Sequence, residues 1–441
     1  MTIGMFDSSG QWRAACLPPS ARAARACPAM GGKTDISKDL AYLDGKRREM
    51  SATLRDWCAV NTGSANLDGL ATMRGALADA FAALGADVER VPSRPQEIVT
   101  SKGEVVARPL GDCLRIVKRP QAPVRVLLAG HMDTVFAADH PFQSSTMIDA
   151  DTMNAPGGAD MKGGILVMLY ALKAVERSAL ADRIGFEIIL NADEEIGSPG
   201  SAAILLEAAK RAQFACVYEP AMADGTLAGA RKGSGNFSAA FSGRAAHAGR
   251  DHAAGRNAVV AAAAFMTALD ALSGKRPGLT VNVAKLDGGG PNNVVPDAAV
   301  ARFNARVEKA EDADWFLEEA RRLIAAVNAR EGFAAHLHGS FARPPKPMTP
   351  ALEAFFRALK DCGVELGLDI GWKATGGVCD GNNIATAGIP VIDTLGARGG
   401  DIHSSGEFVK LDSLEERAKL SALLLLRVAA GDIPNPGARL Q

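Results

Sequence analysis

The sequence has no excess charge of either sign: 49 Lys and Arg stand against 50 Asp and Glu, a formal net charge of -1. Without a block of basic residues, neither nucleic acid nor an anionic membrane is expected as the main partner, and a small molecule is favoured. Cysteine usage excludes two further classes. Cys16, Cys27, Cys58, Cys113, Cys216, Cys362 and Cys379 are odd in number, scattered and free of any Cys-x-x-Cys spacing, which argues against a disulfide framework and a thiolate zinc site and suits reduced thiols in a cytoplasmic protein. Long apolar runs are missing too. The segment Ala422 to Ala430 is interrupted by Arg427, so no stretch reaches membrane-spanning length.

What is present begins with size. With 441 residues, 47% of them hydrophobic, the chain can bury more than one core. Residues 1–35 are rich in Ala, Arg, Cys and Pro without a signal-peptide core, and are expected to be a disordered extension. From Ile36 the periodicity is helical, with a second helix over about Leu67 to Leu84. Strands are expected at Asp87 to Pro92, Cys113 to Lys118 and Val124 to Gly130. A polar loop then ends at Asp160, a helix follows to Arg177, and further strands cover Ile184 to Leu190 and Phe214 to Tyr218. Ser201 is placed to cap the helix that runs on to about Gln213.

Residues 229–343 change character. Their order is strand (Gly235 to Ser242), helix (Gly255 to Leu272), strand (Leu279 to Leu286), strand (Val294 to Val307), helix (Glu311 to Arg330), strand (Phe333 to Phe341), the ferredoxin-like βαββαβ plan. They are expected to form an inserted second domain. Helix Ala351 to Cys362, strand Pro390 to Leu395 and helix Leu411 to Ala429 then return to the first domain, which comprises residues 36–228 and 344–434.

Ionisable residues recur at the ends of the first domain's strands. Val124 to Gly130 delivers His131, with Asp133 two residues on and able to hold the ring's second nitrogen. A lone His-x-Asp is usually a packed histidine. Here, however, Asp160, Glu194, Glu195, Glu219 and His403 all fall at strand ends or in the adjoining loops, where open α/β sheets bind ligands. Two histidines with several carboxylates and no cysteine suit a divalent cation at a hydrolytic site, zinc first.

The motifs His131-Met132-Asp133, Gly158-Ala159-Asp160-Met161-Lys162-Gly163-Gly164, Asp193-Glu194-Glu195-Ile196-Gly197-Ser198, Tyr218-Glu219-Pro220 and Gly400-Asp401-Ile402-His403-Ser404 resemble the co-catalytic di-zinc exopeptidases. That family includes glutamate carboxypeptidase, acetylornithine deacetylase and succinyl-diaminopimelate desuccinylase. The resemblance runs from about residue 36 to 432 and is strongest toward the glutamate carboxypeptidase branch. It implies an α/β fold, a zinc-exopeptidase-like mixed sheet flanked by helices, with residues 229–343 as an inserted ferredoxin-like α+β lid and dimerisation domain. It implies two zinc ions per chain, with cobalt or manganese as alternatives. Asp160 would bridge them, Glu195 and His403 would complete one site, and His131 and Glu219 the other. Glu194 would be the general base, Asp133 would support His131, and the Asp160-Met161 peptide would be cis.

In the lid, His247 matches a family histidine that crosses a dimer interface to stabilise the oxyanion, while Asn293, Arg306 and Arg343 match positions that grip the released amino acid's carboxylate. Val378-Cys379-Asp380 replaces the branch's Gly-Thr-Asp, and Gly381-Asn382-Asn383 replaces smaller apolar residues, so a glutamate preference does not carry over directly. Cys379 is read as structural, and His252, His336 and His338 as surface or packing residues. The expectation is a homodimeric, zinc-dependent metallo-exopeptidase or amidohydrolase that cleaves the amide to a C-terminal amino acid in a small conjugate or short peptide. An N-acyl-amino-acid deacylase of the acetylornithine deacetylase type is the alternative. A non-catalytic binder of amino-acid conjugates is the remoter one, since a binder has no use for Glu194.

Overall fold

Runs of Val, Ile and Leu that are apolar on both faces need cover on both sides, and the central strands here receive it. The computed structural model describes residues 33–437, so the expected N-terminal extension lies almost wholly outside the described residues. Strands β1 (Asp87–Val91), β2 (Cys113–Lys118), β3 (Val124–His131), β4 (Ile184–Asn191) and β5 (Phe214–Val217) build one sheet together with a late two-residue strand, Val391–Ile392. Its order is β1-β2-β4-β3-β5 followed by that late strand. The pair β1–β2 and the pair β2–β4 are antiparallel, whereas β4, β3 and β5 run parallel as neighbours, with His131 opposite Asn191 and Ala129 opposite Val217. Three carboxyl ends therefore lie at one edge.

The pleat sorts the strand residues between two layers. Val126 and Leu128 join the core containing helices α1 (Arg47–Cys58), α2 (Leu67–Ala82) and α3 (Gly163–Val175), while Leu127 and Ala129 join a second cluster containing helix α4 (Ala202–Arg211). Helix α3 is apolar around almost its whole circumference, and of its residues only Lys173 is not fully buried. Such a helix is stable only between layers. It lies against the long C-terminal helix Asp412–Ala430.

A second sheet has a core of its own. Strands β6 (Gly233–Ser242), β7 (Thr280–Gly288), β8 (Ala298–Val307) and β9 (Ala334–Arg343) pair antiparallel in the order β7-β8-β6-β9. Helices α5 (Ala258–Asp270) and α6 (Ala310–Asn328) cover one face and bury Phe237, Phe241, Phe265, Phe303 and Phe316. The strand expected from Val294 starts only at Ala298; Val294 to Asp297 instead form a loop in which Val295 N–H donates to the Ala246 carbonyl at 2.9 Å. Pro296, which has no N–H to give a ladder, fits that loop.

Three local expectations need correction. Ser201 stands at the N-cap of α4 but its side chain makes no cap bond; its hydroxyl donates to Asp193 Oδ1 at 2.5 Å, because that buried carboxylate competes for it. Glu194 and Glu195, expected at the end of a strand, lie just beyond it in a 3-10 turn, Glu194–Ile196. A hairpin, Gln96–Val99 with Val105–Arg108, occupies a stretch the sequence reading passed over.

Candidate metal centre

The parallel trio fixes the floor of the site. β3 ends in His131, 1% exposed, and the next residue is tied to β4 by Met132 N–H donating to Asn191 O at 2.7 Å. Nδ1 of His131 lies 3.0 Å from the Asp133 carbonyl oxygen and 3.4 Å from Asp133 Oδ1, so the backbone carbonyl, not the expected carboxylate, is the nearer partner. The carboxylate is engaged elsewhere. It accepts the N–H groups of Glu194 and Glu195, each at 3.1 Å, and the Ser64 hydroxyl at 2.7 Å. Asp133 thus locks the Glu194–Ile196 turn onto the end of β3.

Asp160 is delivered by the loop before α3. Glu407, also buried, accepts N–H bonds from Gly157, Ala159 and Asp160 at 3.0 to 3.1 Å, and the Asp160-Met161 peptide is cis. Glu219 follows β5, where the backbone is hemmed in by two glycines. A Cβ on Gly164 would lie 1.8 Å from the Tyr218 carbonyl oxygen, and one on Gly396 would lie 2.2 Å from it. Glycine is required for that approach. His403 sits in the loop joining the paired strands Arg398–Gly400 and Phe408–Lys410, at a left-handed φ of 63°, and is about half exposed.

These elements place the two oxygens of Asp160 toward different histidines. Oδ1 is 3.2 Å from His131 Nε2, and Oδ2 is 3.3 Å from His403 Nε2. His403 Nε2 is also 3.2 Å from Glu195 Oε2, while His131 Nε2 is 3.8 Å from Glu219 Oε1. Donor atoms around a tetrahedral cation with arms near 2.0 Å are about 3.3 Å apart, so the separations of 3.2 to 3.3 Å fit ligands sharing an ion, while the 3.8 Å between His131 and Glu219 is longer. The chemistry of His131 agrees. With Nδ1 held by the Asp133 carbonyl, Nε2 is turned toward Asp160 and Glu219, where a ring proton or a bound cation can sit between them. Glu219 Oε1, buried, has no hydrogen-bond partner among the described residues.

The titration of the protein's own groups expresses the same crowding. Burial, reinforced by Asp160, pushes the Glu195 carboxyl up to about 7, and burial likewise raises Glu194 and Glu219. Asp160 goes the other way, since His131 and His403 more than offset its burial. Buried carboxylates held against one another favour a bound dication.

Glu194 stands apart from this set in one respect. Its Oε1 is 2.6 Å from Arg343 Nη2, and Arg343 Nη1 is 3.0 Å from Asp380 Oδ1. Arg343 is 3% exposed and also donates to Glu194 O at 2.9 Å and to Ser198 Oγ at 3.1 Å. Arg343, expected to grip substrate, here donates to the protein's own Glu194 and Asp380 and holds Glu194 in place.

A cavity of about 550 Å³ opens over these groups, lined by Asp160, Glu194, Glu195, Glu219, Arg306 and His403 among others. Arg306 reaches Gly376 O and Asn304 Oδ1 and meets no carboxylate among the described residues. His247 and Asn293 lie outside it, exposed and side by side, with Ala248 N–H donating to Asn293 O at 2.9 Å. His252, His336 and His338 are outside it as well. Cys379 is buried in the wall of this cavity and accepts the Gly381 N–H at 3.3 Å; burial pushes its thiol well above the ordinary value, against use as a nucleophile. The sequence reading missed Glu407 and Arg231. Glu407 stands four residues after His403, a proximity that offered a signal. Arg231 is buried, 2.7 Å from Asp393, and nothing local distinguished it from a solvated strand arginine.

Residues 127–427 match the sequence profile of Peptidase family M20/M25/M40. The chain is 28% identical over 393 residues to carboxypeptidase G2 from Pseudomonas sp. (strain RS-16), covering 86% of this chain and 89% of that protein. It is 28% identical over 348 residues to succinyl-diaminopimelate desuccinylase from Bordetella petrii, covering 74% and 89%. Among solved structures, an M20 family metallo-carboxypeptidase from Sulfolobus solfataricus shares the fold with a TM-score of 0.67 at 17% identity, over 86% of this chain and 98% of that one. A dinuclear metal-binding M20 peptidase from Bacillus subtilis does so with a TM-score of 0.58 at 16% identity, over 87% and 98%.

Proposed function

The chain belongs to Peptidase family M20/M25/M40, and from that premise we propose that it hydrolyses the amide joining an acyl or peptidyl group to a C-terminal amino acid, using two divalent cations. The observation that carries this reading is the two-sided placement of Asp160, with His131 and Glu219 on one side and His403 and Glu195 on the other. Zinc is the proposed metal, and cobalt or manganese suits the same donors. The names of two relatives, a carboxypeptidase and a desuccinylase, support amide hydrolysis while differing in which half of the substrate they name.

When bound, the cations supply Lewis acidity toward the amide carbonyl and make water acidic enough to lose a proton near neutral pH. Glu194 takes that proton and returns it to the leaving amine. Arg343 holds one Glu194 oxygen and leaves the other for this work, while Asp133 fixes the turn from behind. Arg306 grips the carboxylate of the departing amino acid, for which its planar fork is suited. His247 and Asn293, exposed and outside this chain's cavity, are proposed to serve the site of a second copy, with residues 229–343 as lid and dimerisation domain.

The test is Glu194→Gln in protein assayed for bound metal and for release of free amine from N-acyl amino acids. About two metal ions per chain are expected in both forms, and turnover should fall by about 10²- to 10⁴-fold. Turnover close to that of the unaltered protein would remove Glu194 from the mechanism.

A further inference from the structure

A second cavity adjoins the first and is not used by the chemistry described so far. It measures about 510 Å³, shares Glu195 and Ile196 with the main cavity, and is otherwise lined by the loop at Gly63 to Asn66, by Thr134, Val135, Ala137 and Ala138, and by Arg108. Its walls are mostly small and neutral. Arg108 is the one basic residue lining it, is partly buried, and bonds Gln96 Oε1, a neutral acceptor.

Some of this protein's arginines are paired with carboxylates, and others, such as Arg125 and Arg183, meet only backbone carbonyls among the described residues. Arg115, Arg119, Arg211 and Arg343 each face a carboxylate. Arg108 has no carboxylate within salt-bridge reach among the described residues, and Glu195 on the shared wall is turned to His403. A guanidinium offers five donors in a fixed fork, so Arg108 retains several for a ligand. Its position is also fixed from outside the cavity. It ends the hairpin Gln96–Val99/Val105–Arg108, whose Val99 carbonyl accepts from Arg302 Nη2 on β8 at 2.8 Å, and Arg302 is in turn 3.2 Å from Asp287 on β7. At the hairpin turn, Gly103 stands against Ala240 and Val300 of the same sheet.

Resting on the proposed amide hydrolysis, we infer that this second cavity receives the acyl half of the substrate and selects an acyl group ending in a carboxylate. A substrate with its scissile amide beside Glu194 extends in two directions. Its amino-acid half reaches Arg306 in the main cavity; its other half passes Glu195 and Ile196. There the neutral lining suits methylenes, Arg108 suits a terminal anion, and the volume lies within the ordinary range of about 300–1,000 Å³ for ligand sites. Two arginines without carboxylate partners, one in each cavity, match a conjugate that is anionic at both ends.

The experiment compares N-glutaryl and N-pentanoyl derivatives of one amino acid, five-carbon acyl groups that end in a carboxylate and a methyl group respectively, on the metal-loaded full-length protein. The glutaryl compound is expected to have a kcat/KM about tenfold or more above the pentanoyl one, with a 5-aminopentanoyl derivative the poorest of the three. Arg108→Gln should bring the glutaryl-to-pentanoyl ratio toward one, mainly through KM, and Arg108→Lys should restore part of it. Equal use of glutaryl and pentanoyl by the wild-type protein, or an unchanged ratio in Arg108→Gln, overturns the assignment. The wild-type series decides even if a variant does not fold. Should no derivative be hydrolysed, the hydrolase reading fails separately; calorimetric binding of the same compounds to the metal-loaded protein then decides, tighter glutaryl binding supporting the subsite and equal or absent binding overturning it.

Discussion

Glu194 and Glu195 share one 3-10 turn, yet one meets Arg343 and the other His403. In such a turn successive side chains diverge by about 120°, so adjacent carboxylates can face an arginine and a histidine without competing. Arg343 is the residue on which the division rests. Arg343→Ala would leave Glu194 and Asp380 buried without their cation, and removing one partner of a buried pair typically costs about 3–5 kcal/mol. Denaturant unfolding should register that loss, and Arg343→Lys, with a single ammonium for two carboxylates, should recover only part of it. The sequence identified Arg343 as a carboxylate-binding arginine. It could not say whose carboxylate, because Glu194 is 149 residues away in the chain.

At the scale of elements, the site depends on how closely α3 approaches the end of β5. Gly164→Ala sets a methyl group against the Tyr218 carbonyl, and such overpacking costs about 1–3 kcal/mol. A lower unfolding midpoint together with weakened metal retention is expected, because Glu219 follows Tyr218; an unchanged midpoint would mean that the two elements can separate freely. β4 carries a second test, remote from the metal centre. Burial alone would raise Glu187, but the forks of Arg211 and Arg115 more than reverse this and hold its carboxyl below the ordinary 4.5. The resulting stabilisation is complete above pH 4.5 and is lost as pH falls through the lower folded value. Glu187→Gln should therefore be less stable than the wild-type protein at neutral pH, with the gap closing below pH 4.5 in denaturant titrations. The central strands were legible as apolar runs. The hairpin Gln96–Val99/Val105–Arg108 was not: Val105 and Val106 are 48% and 40% exposed, and its short strands are fixed partly by contacts to the other sheet.

For the whole molecule, the question is whether one chain makes a complete site. His247 and Asn293 sit together on an exposed edge of the second sheet's unit, outside the cavity that holds Glu194. If His247 serves a second copy, Glu194→Gln and His247→Ala proteins should each be nearly inactive alone and should regain activity after mixing and subunit exchange. A random mixture of dimers is half heterodimer with one intact site each, so recovery of about a quarter of wild-type activity is expected. No recovery, with exchange verified by light scattering and mass spectrometry, would confine His247 to its own chain.

By itself the sequence determined the periodicities that separate the mixed sheet from the βαββαβ unit and the placement of ionisable residues at successive strand ends. These are properties of neighbouring residues, and neighbouring residues carry them. Only the tertiary structure decided which donor meets which acceptor: that Asp160 faces two ways, that Arg343 serves Glu194, that the Asp133 carboxylate holds a turn rather than a ring, and that Arg108 and Arg306 lie in adjoining cavities. The reason is physical. The direction of a side chain is set by packing between segments far apart in the chain, and a hydrogen bond or ion pair exists only once that packing has brought its two ends within reach.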